Sequence, residues 1–394
     1  ERTCVEKVFW LFMFTCCVVL CAGLIRKVWI KWNESPVIVS FAENPTPVWQ
    51  IPYPAVTVCF ETKGIPFQTY LIFQVSPNLT EVFFGCKWKD IPSENCSELF
   101  SPIMTEEGLC YTFNTLGPPL ILIIYYLQRA QSWSLEEGYA PGTPIETYPH
   151  RGAVSVVISK KIDLDYLCRG PVQGFKILLH NPAELPRLSQ QYFRSPLSQE
   201  VVVAVKPKMM TTSSGLKPYE PTRRQCYFPS ERYLQYFKVY TQANCEMECL
   251  SNFTYTRCGC VHFGMPLELV TIEIQSGLEG HAKNETDSLG EALAVSSKCQ
   301  CLPACTSIEY EAETSQADYD WPPDMIKIMF TSFVSSLTYS RVMVFFKEAQ
   351  FITSRRSELY GQTDFLANCG GLLGLFMGFS ILSVAEIVYF LTLR

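Results

Sequence analysis

Two apolar runs bracket the chain. Residues 8–25, VFWLFMFTCCVVLCAGLI, are eighteen uncharged positions in a row, close to the length that crosses the hydrocarbon core of a bilayer. Residues 369–393 form a second apolar run, interrupted only by Glu386. Between the runs the pattern changes. YPAVTVCF (53–60), GAVSVVISKKIDLDYL (152–167), EVVVAVKP (200–207) and SRVMVFFKEAQFI (340–352) alternate in polarity or are rich in β-branched residues, which predicts strands. ERYLQYFKVYTQANCEMECL (231–250) reads as a helix, and 267–297 is polar and loop-like in its middle. There is no internal repeat.

The first run follows Arg2 and Lys7, so a signal peptide is its plain alternative. It is long for such a segment and lacks a clear small-x-small cleavage site. The chain begins at Glu1 rather than Met, and residues before it are expected. Two membrane spans are therefore predicted. Arg26, Lys27 and Lys31 follow the first span and taken alone favour a cytoplasmic loop, a rule that weakens for long translocated domains. Five sequons speak for the opposite side: Asn33, Asn78, Asn95, Asn252 and Asn284 each begin an Asn-x-Ser/Thr triplet between the spans. Thirteen of the eighteen cysteines lie there too, as oxidised pairing outside the cell would have it. The expected layout is a cytoplasmic 1–7, a first transmembrane helix 8–30, an extracellular cysteine-rich α+β domain 31–366, and a second transmembrane helix 367–394. Both termini are then cytoplasmic and the location is the plasma membrane.

Composition adds two limits. The 394 residues, 48% of them apolar, can build one large domain or two ordinary ones. A net charge of −6 argues against a nucleic-acid partner.

Cysteine spacing predicts a local structure. Cys245 and Cys249, at i and i+4, share a helix face about 6 Å apart. Cys299 and Cys301, at i and i+2, share a strand face about 6.6 Å apart. A helix antiparallel to a strand can therefore join Cys245 to Cys301 and Cys249 to Cys299 as ladder rungs, with Cys226 and Cys305 closing the set. The competing reading is a zinc site from the CxC pairs and His262, which an oxidising compartment disfavours.

These residues carry a resemblance. YPAVTVC (53–59) is similar to a Phe-Pro-Ala-Val-Thr-x-Cys motif, GLCYTFN (108–114) to a Gly-x-Cys-Tyr-Thr-Phe-Asn motif, and CEMECL…CGC…CQCLPAC (245–305) to a cysteine block of the degenerin / epithelial sodium channel family. GFS (378–380) resembles that family's Gly-x-Ser selectivity filter, and the wording of 359–387 resembles its insect pickpocket branch. The resemblance implies an acid-sensing-channel-like homo- or heterotrimer with a hand-like ectodomain. It implies a sodium-selective, voltage-independent channel blocked by amiloride, sensory in role, gated by a ligand or by force, and needing no cofactor. It also implies the pairs Cys59–Cys110 and Cys86–Cys96. The sequence departs from the family in three places. The partners of Cys258 and Cys260 are absent between 261 and 298, so either a loop is missing there or Cys168 and another partner substitute. The Cys59–Cys86 interval is short, and the His-Gly motif before the first span is missing.

The second run then acquires roles. Gly370, Gly374 and Gly378 recur every four residues and form one smooth helical stripe, beside Gly371; such stripes commonly serve tight helix packing in membranes. The family's second span becomes extended at Gly378, Phe379 and Ser380, whose carbonyls would replace an ion's hydration shell. Glu386 is either a pore-facing carboxylate or one that simply reaches cytosolic water. Ala367, eleven residues before Gly378, stands at the family's degenerin position and would act with Asn368 as the gate; its bland reading is a small residue at a membrane entrance.

Other function classes remain in view. A trimeric ATP-gated channel would need clustered basic residues for phosphates, and a scavenger-receptor-type lipid transporter would need no glycine stripe. His150, His180, His262 and His281 show no nucleophile or metal motif around them, so no enzyme is expected.

Overall fold

The structure is a computed structural model that describes residues 4–34, 37–60, 78–89, 91–93, 96–115, 154–161, 174–189, 191–237, 239–259, 261, 264–266, 299–319, 337–359, 361–378 and 381–392. The chain opens with α1 (Cys4–Glu34) and β1 (Val37–Phe41). It continues through β2 (Ala55–Phe60), β3 (Phe83–Trp88), β4 (Ile91–Ser93), β5 (Phe100–Thr105) and β6 (Gly108–Phe113). Next come β7 (Val154–Lys161), β8 (Phe175–His180), β9 (Phe193–Ser195) and β10 (Gln199–Thr212). The helix α2 (Gln242–Cys258) is followed by β11 (Ser307–Asp318), β12 (Leu337–Phe346) and β13 (Ser354–Glu358). Two helices, α3 (Gln362–Met377) and α4 (Ile381–Thr392), complete the described chain.

These elements form two compact units, Glu1–Phe41 with Thr211–Gln225 and Ser354–Arg394, and Ala42–Met210 with Cys226–Thr353. In the larger unit, strands run in the order β11–β10–β12–β7–β3–β4. All neighbours are antiparallel except β10 and β12, which are parallel with Val203 opposite Val344. A second, 5-stranded antiparallel sheet runs β9–β8–β2–β6–β5. Alternation decides the faces. Val201, Val203 and Val205 of β10 are fully buried and join Val56, Val58, Phe113 and Ile177 of the other sheet in one core. The opposite face of the second sheet packs a smaller cluster of Cys59, Cys110, Ile103, Leu178 and Leu188. Tyr53 sits inside the main core between Trp88, Phe113 and Phe346, its hydroxyl donating to Val344 O at 2.6 Å. A buried phenol of that size needs such a partner.

In the smaller unit, β1 and β13 pair antiparallel, Val37 opposite Glu358 and Phe41 opposite Ser354. Among the described residues one helix, Glu6–Asn33, is long and apolar enough to cross a membrane. The whole of α1 contains no proline and ends at Glu34, two residues before Pro36.

Several expectations need revision. The second apolar run, whose helix was expected from 367, carries two helices: α3 has 16 residues and starts at Gln362, α4 has 12, and α3 closes at Gly378. The predicted helix 231–250 starts only at Gln242, because Thr241 caps it, its hydroxyl accepting from Asn244 N at 3.1 Å. The residues before it are held in irregular backbone instead, with Tyr236 N donating to Glu248 Oε2 at 2.9 Å and Tyr240 OH to Leu302 O at 2.6 Å. Cys299 lies in a turn with Gln300 at φ 48, not on a strand. The strand expected over 340–352 ends at Phe346; only Gln350–Phe351 resumes pairing, with Thr46–Pro47. The segments 162–167 and 267–297 lie outside the described residues.

Candidate pore and gate

The mouth of the second run is built by its first turn. Gly361 N donates to Asp364 Oδ2 at 3.1 Å, capping α3, and Asn368 Nδ2 donates back to Asp364 O at 2.9 Å. Asn368 is thus tied to its own helix. Phe365 stacks on Trp32 of α1 with centroids 5.1 Å apart and an interplanar angle of 25°. Trp29, one turn earlier, meets the same ring edge-on at 5.6 Å. These aromatic contacts hold α1 against α3. Ala367, on the next turn, is exposed.

Among the described residues, a side chain built at Gly370, Gly371 or Gly378 would meet no atom within 4 Å, and Gly374 is exposed. Gly378 has φ 62, the left-handed region, and its N–H bonds Gly374 O at 3.0 Å, closing α3. A side chain bears a penalty of about 1–2 kcal/mol in that region, so conformation favours glycine here. Phe379 and Ser380 lie outside the described residues; α4 resumes at Ile381 and exposes Glu386.

Arg223 lies in a short helical turn, Pro221–Arg224, of the segment that follows β10. Its guanidinium stands 4.8 Å from the Trp32 ring and 4.7 Å from the Tyr219 ring, and Nη2 donates to Trp32 O at 2.7 Å. That bond satisfies one of the last carbonyls of α1. Arg224 is buried and donates to Tyr219 O, fixing the loop's own shape.

In the larger unit, disulfides join Cys59 to Cys110 and Cys86 to Cys96, with Cα separations of 4.5 and 5.5 Å. Cys59 and Cys110 face each other across β2 and β6. On α2, Cys245 pairs with Cys301 and Cys249 with Cys299, at 5.8 and 6.2 Å, while Cys226 pairs with Cys305 at 4.9 Å. The turn at Gln300 delivers the spacing that a strand was expected to supply. Cys258 ends α2, and Cys168 and Cys260 lie outside the described residues. Of the sequon asparagines, Asn33, Asn78 and Asn252 are exposed; Asn95 and Asn284 lie outside the described residues. Among the described residues no group of three or more His, Cys, Asp or Glu could hold a metal ion.

A sequence profile described as "Amiloride-sensitive sodium channel" matches residues 1–70 and 62–390. The chain belongs to that family. Pickpocket protein 28 of Drosophila melanogaster is 28% identical over 450 residues, spanning 99% of this chain and 74% of that protein. Acid-sensing ion channel 2 of Homo sapiens is 23% identical over 325 residues, spanning 80% and 57%. Degenerin-like protein unc-105 of Caenorhabditis elegans is 25% identical over 307 residues, spanning 71% and 31%. A solved proton-activated chloride channel aligns with 99% of this chain and 100% of its own at TM-score 0.37 and 7% identity, a likeness that carries no argument.

Amiloride-sensitive sodium channel family members are ion channels and not enzymes. They are plasma-membrane proteins with an extracellular domain, and they assemble from subunits. Membership sets aside the lipid-transport receptor. Sequence reasoning missed Trp29, Trp32, Phe365 and Arg223. The tryptophans carried a usable signal, since aromatic residues collect where an apolar span meets water. Arg223 carried none, because its partners are remote in sequence.

Proposed function

We propose that this chain is a subunit of a trimeric, sodium-selective, amiloride-sensitive and voltage-independent cation channel, sensory in role and opened by an extracellular ligand or by force. In this reading α1 spans the membrane once, α3 and α4 together span it again, and both termini are cytoplasmic. Gly378, Phe379 and Ser380 form the filter, Ala367 and Asn368 the gate, and three copies of Glu386 an inner ring that draws cations. Subunits are identical or related, and Na+ is the permeant ion.

The observation that carries the reading is the break at Gly378. Non-helical backbone at membrane depth is tolerated only where it faces protein or water. The exposed glycines above it support close approach by something outside the chain, and a threefold axis of like helices provides that neighbour. Backbone carbonyls freed at the break are then available to an ion.

The test is expression of the chain in oocytes, with current recorded in sodium and potassium baths with and without amiloride. A sodium-preferring current that amiloride blocks is expected. A potassium-preferring current, or one indifferent to amiloride, would overturn the proposed selectivity and pharmacology.

A further inference from the structure

The three described sequon asparagines sit in different kinds of backbone. Asn78 stands at the N-cap of a single helical turn, Leu79–Val82, where its side chain makes no capping bond. Asparagine is among the best residues for that bond. Here Leu79 is buried while Asn78 and Thr80 are exposed, so the sequon's amide and hydroxyl both reach water. Asn252 is exposed within α2. There the Thr254 hydroxyl donates to Leu250 O at 2.8 Å, so the finished helix occupies a group that sequon recognition uses. Asn33 is exposed too, but it is the last residue of the membrane-length helix Glu6–Asn33. The carbonyl of the residue before it, Trp32, is held by Arg223 Nη2 at 2.7 Å.

We propose that Asn78 and Asn252 carry N-linked glycans and that Asn33 does not, the difference lying in when each stretch of backbone becomes helical. The statement rests on the reading above that puts the domain between the spans outside the cell. A glycan is transferred to Asn-x-Ser/Thr in extended chain entering the secretory lumen, and the bulky product stays on the surface. Extended chain is available at Asn252 because α2 forms late. Its cystines wait for cysteines 56 and 50 residues further on, and most helix stability in proteins comes from tertiary packing. Phe253, Thr254 and Tyr255 add little helix propensity of their own. At about 5–20 residues per second, synthesis of the shorter, 50-residue interval takes roughly 3–10 s, and the sequon stays open meanwhile. The helix α1 behaves in the opposite way. Apolar chain in a bilayer must satisfy its backbone internally, so α1 is helical on insertion. Asn33 is then tethered at the membrane surface, short of an enzyme that works on chain clear of the bilayer.

The test expresses the full-length chain in cultured mammalian cells. Peptide-N-glycosidase in heavy-oxygen water leaves a mass label at every asparagine that bore a glycan, and peptide mass spectrometry reads the sites. Label is expected at Asn78 and Asn252 and not at Asn33. Asn252→Gln and Thr254→Ala should each lose the gel-mobility step of one glycan, Thr254→Ser should keep it, and Asn33→Gln should leave mobility unchanged. A flexible Gly/Ser segment inserted between Trp32 and Asn33, long enough to carry the sequon clear of the bilayer, should switch labelling of Asn33 on. Label at Asn33 in the wild type, a bare Asn78 or Asn252, or an insertion that leaves Asn33 bare overturns the proposal. Membrane-impermeant biotinylation of intact cells separates its failure from that of the orientation. Ectodomain lysines that react while Asn78 and Asn252 stay bare sink the glycan assignment and spare the topology; lysines shielded from the reagent sink both.

Discussion

Glu184 and His180 lie four residues apart and are shifted in opposite senses. Burial pushes the Glu184 carboxyl from an ordinary 4.5 up to about 7; the Thr241 hydrogen bond and Arg187 pull it down, while Glu309 and Glu246 add to the rise. The folded state therefore holds this proton more tightly than the unfolded chain, and stability is fully present below pH 4.5 and falls as pH rises toward 7. His180 is held down to about 4 by burial. Its Nδ1–H donates to Asn181 O at 3.0 Å, leaving Nε2 to accept from Thr57 at 2.8 Å, and Thr57 in turn accepts from Thr112 at 2.8 Å. Charging the ring would make Nε2 a donor and reverse that chain. Here stability is present above pH 6.5 and is lost as pH falls toward 4. Glu184→Gln should accordingly gain roughly 1–3 kcal/mol over wild type at pH 8 and nothing at pH 4. Denaturant melts of the purified protein at the two pH values check this; an equal gain at both would point to packing instead of titration.

At the scale of elements, α2 is pinned twice. Its cap at Thr241 fixes where it starts, and the cystines of Cys245 and Cys249 fix its face against the turn at Gln300. Cys245→Ser should cost about 2–5 kcal/mol, the usual loss with a native disulfide, and should leave Cys301 reactive to alkylation. Peptide mapping of the non-reduced wild type that joins Cys245 to any cysteine but Cys301 would remove the basis for that number. The α2 region also shows how far a sequence can be read. The i, i+4 separation on a helix was legible, since it depends only on helix geometry, and so were the valines of β10, since burial on one face imposes alternation. The start of α2 was not, because Tyr236 and Tyr240 mimic helical periodicity while long-range bonds to Glu248 and Leu302 keep them out of it. For the pore, the glycine stripe was legible as a repeat. The grip of Arg223 on the end of α1 was not, because it depends on Trp32, which only the fold brings near.

At the scale of the whole assembly, the proposed gate and filter should separate by mutation. If three copies of α3 converge near Ala367 when the channel is shut, Ala367→Val puts six extra methyl groups around one axis. Overpacking costs roughly 1–3 kcal/mol per site, and splaying the helices relieves it. The open-to-closed ratio should rise about tenfold or more, seen as a sodium leak without stimulus that amiloride still blocks. Ser380→Ala should instead alter the sodium-to-potassium permeability ratio and leave gating near normal. Two-electrode recordings that found the leak in Ser380→Ala and silence in an abundant Ala367→Val channel would exchange the two assignments.

The backbone at Gly378 has one more consequence, and it concerns handedness. Nothing within 4 Å would obstruct a methyl group at this residue, yet φ is +62. What the position rejects is the L configuration, not bulk. An L-alanine there bears a penalty of about 1–2 kcal/mol in the left-handed region and draws α3 and α4 toward a single rod. Its mirror image bears none. D-Alanine, introduced by chemical ligation, should keep the break and, in the proposed channel, the current, whereas L-alanine should not. Two channels with the same atoms and the same mass would then differ in whether ions pass, and equal conductance from the pair would show that the bend owes nothing to chirality.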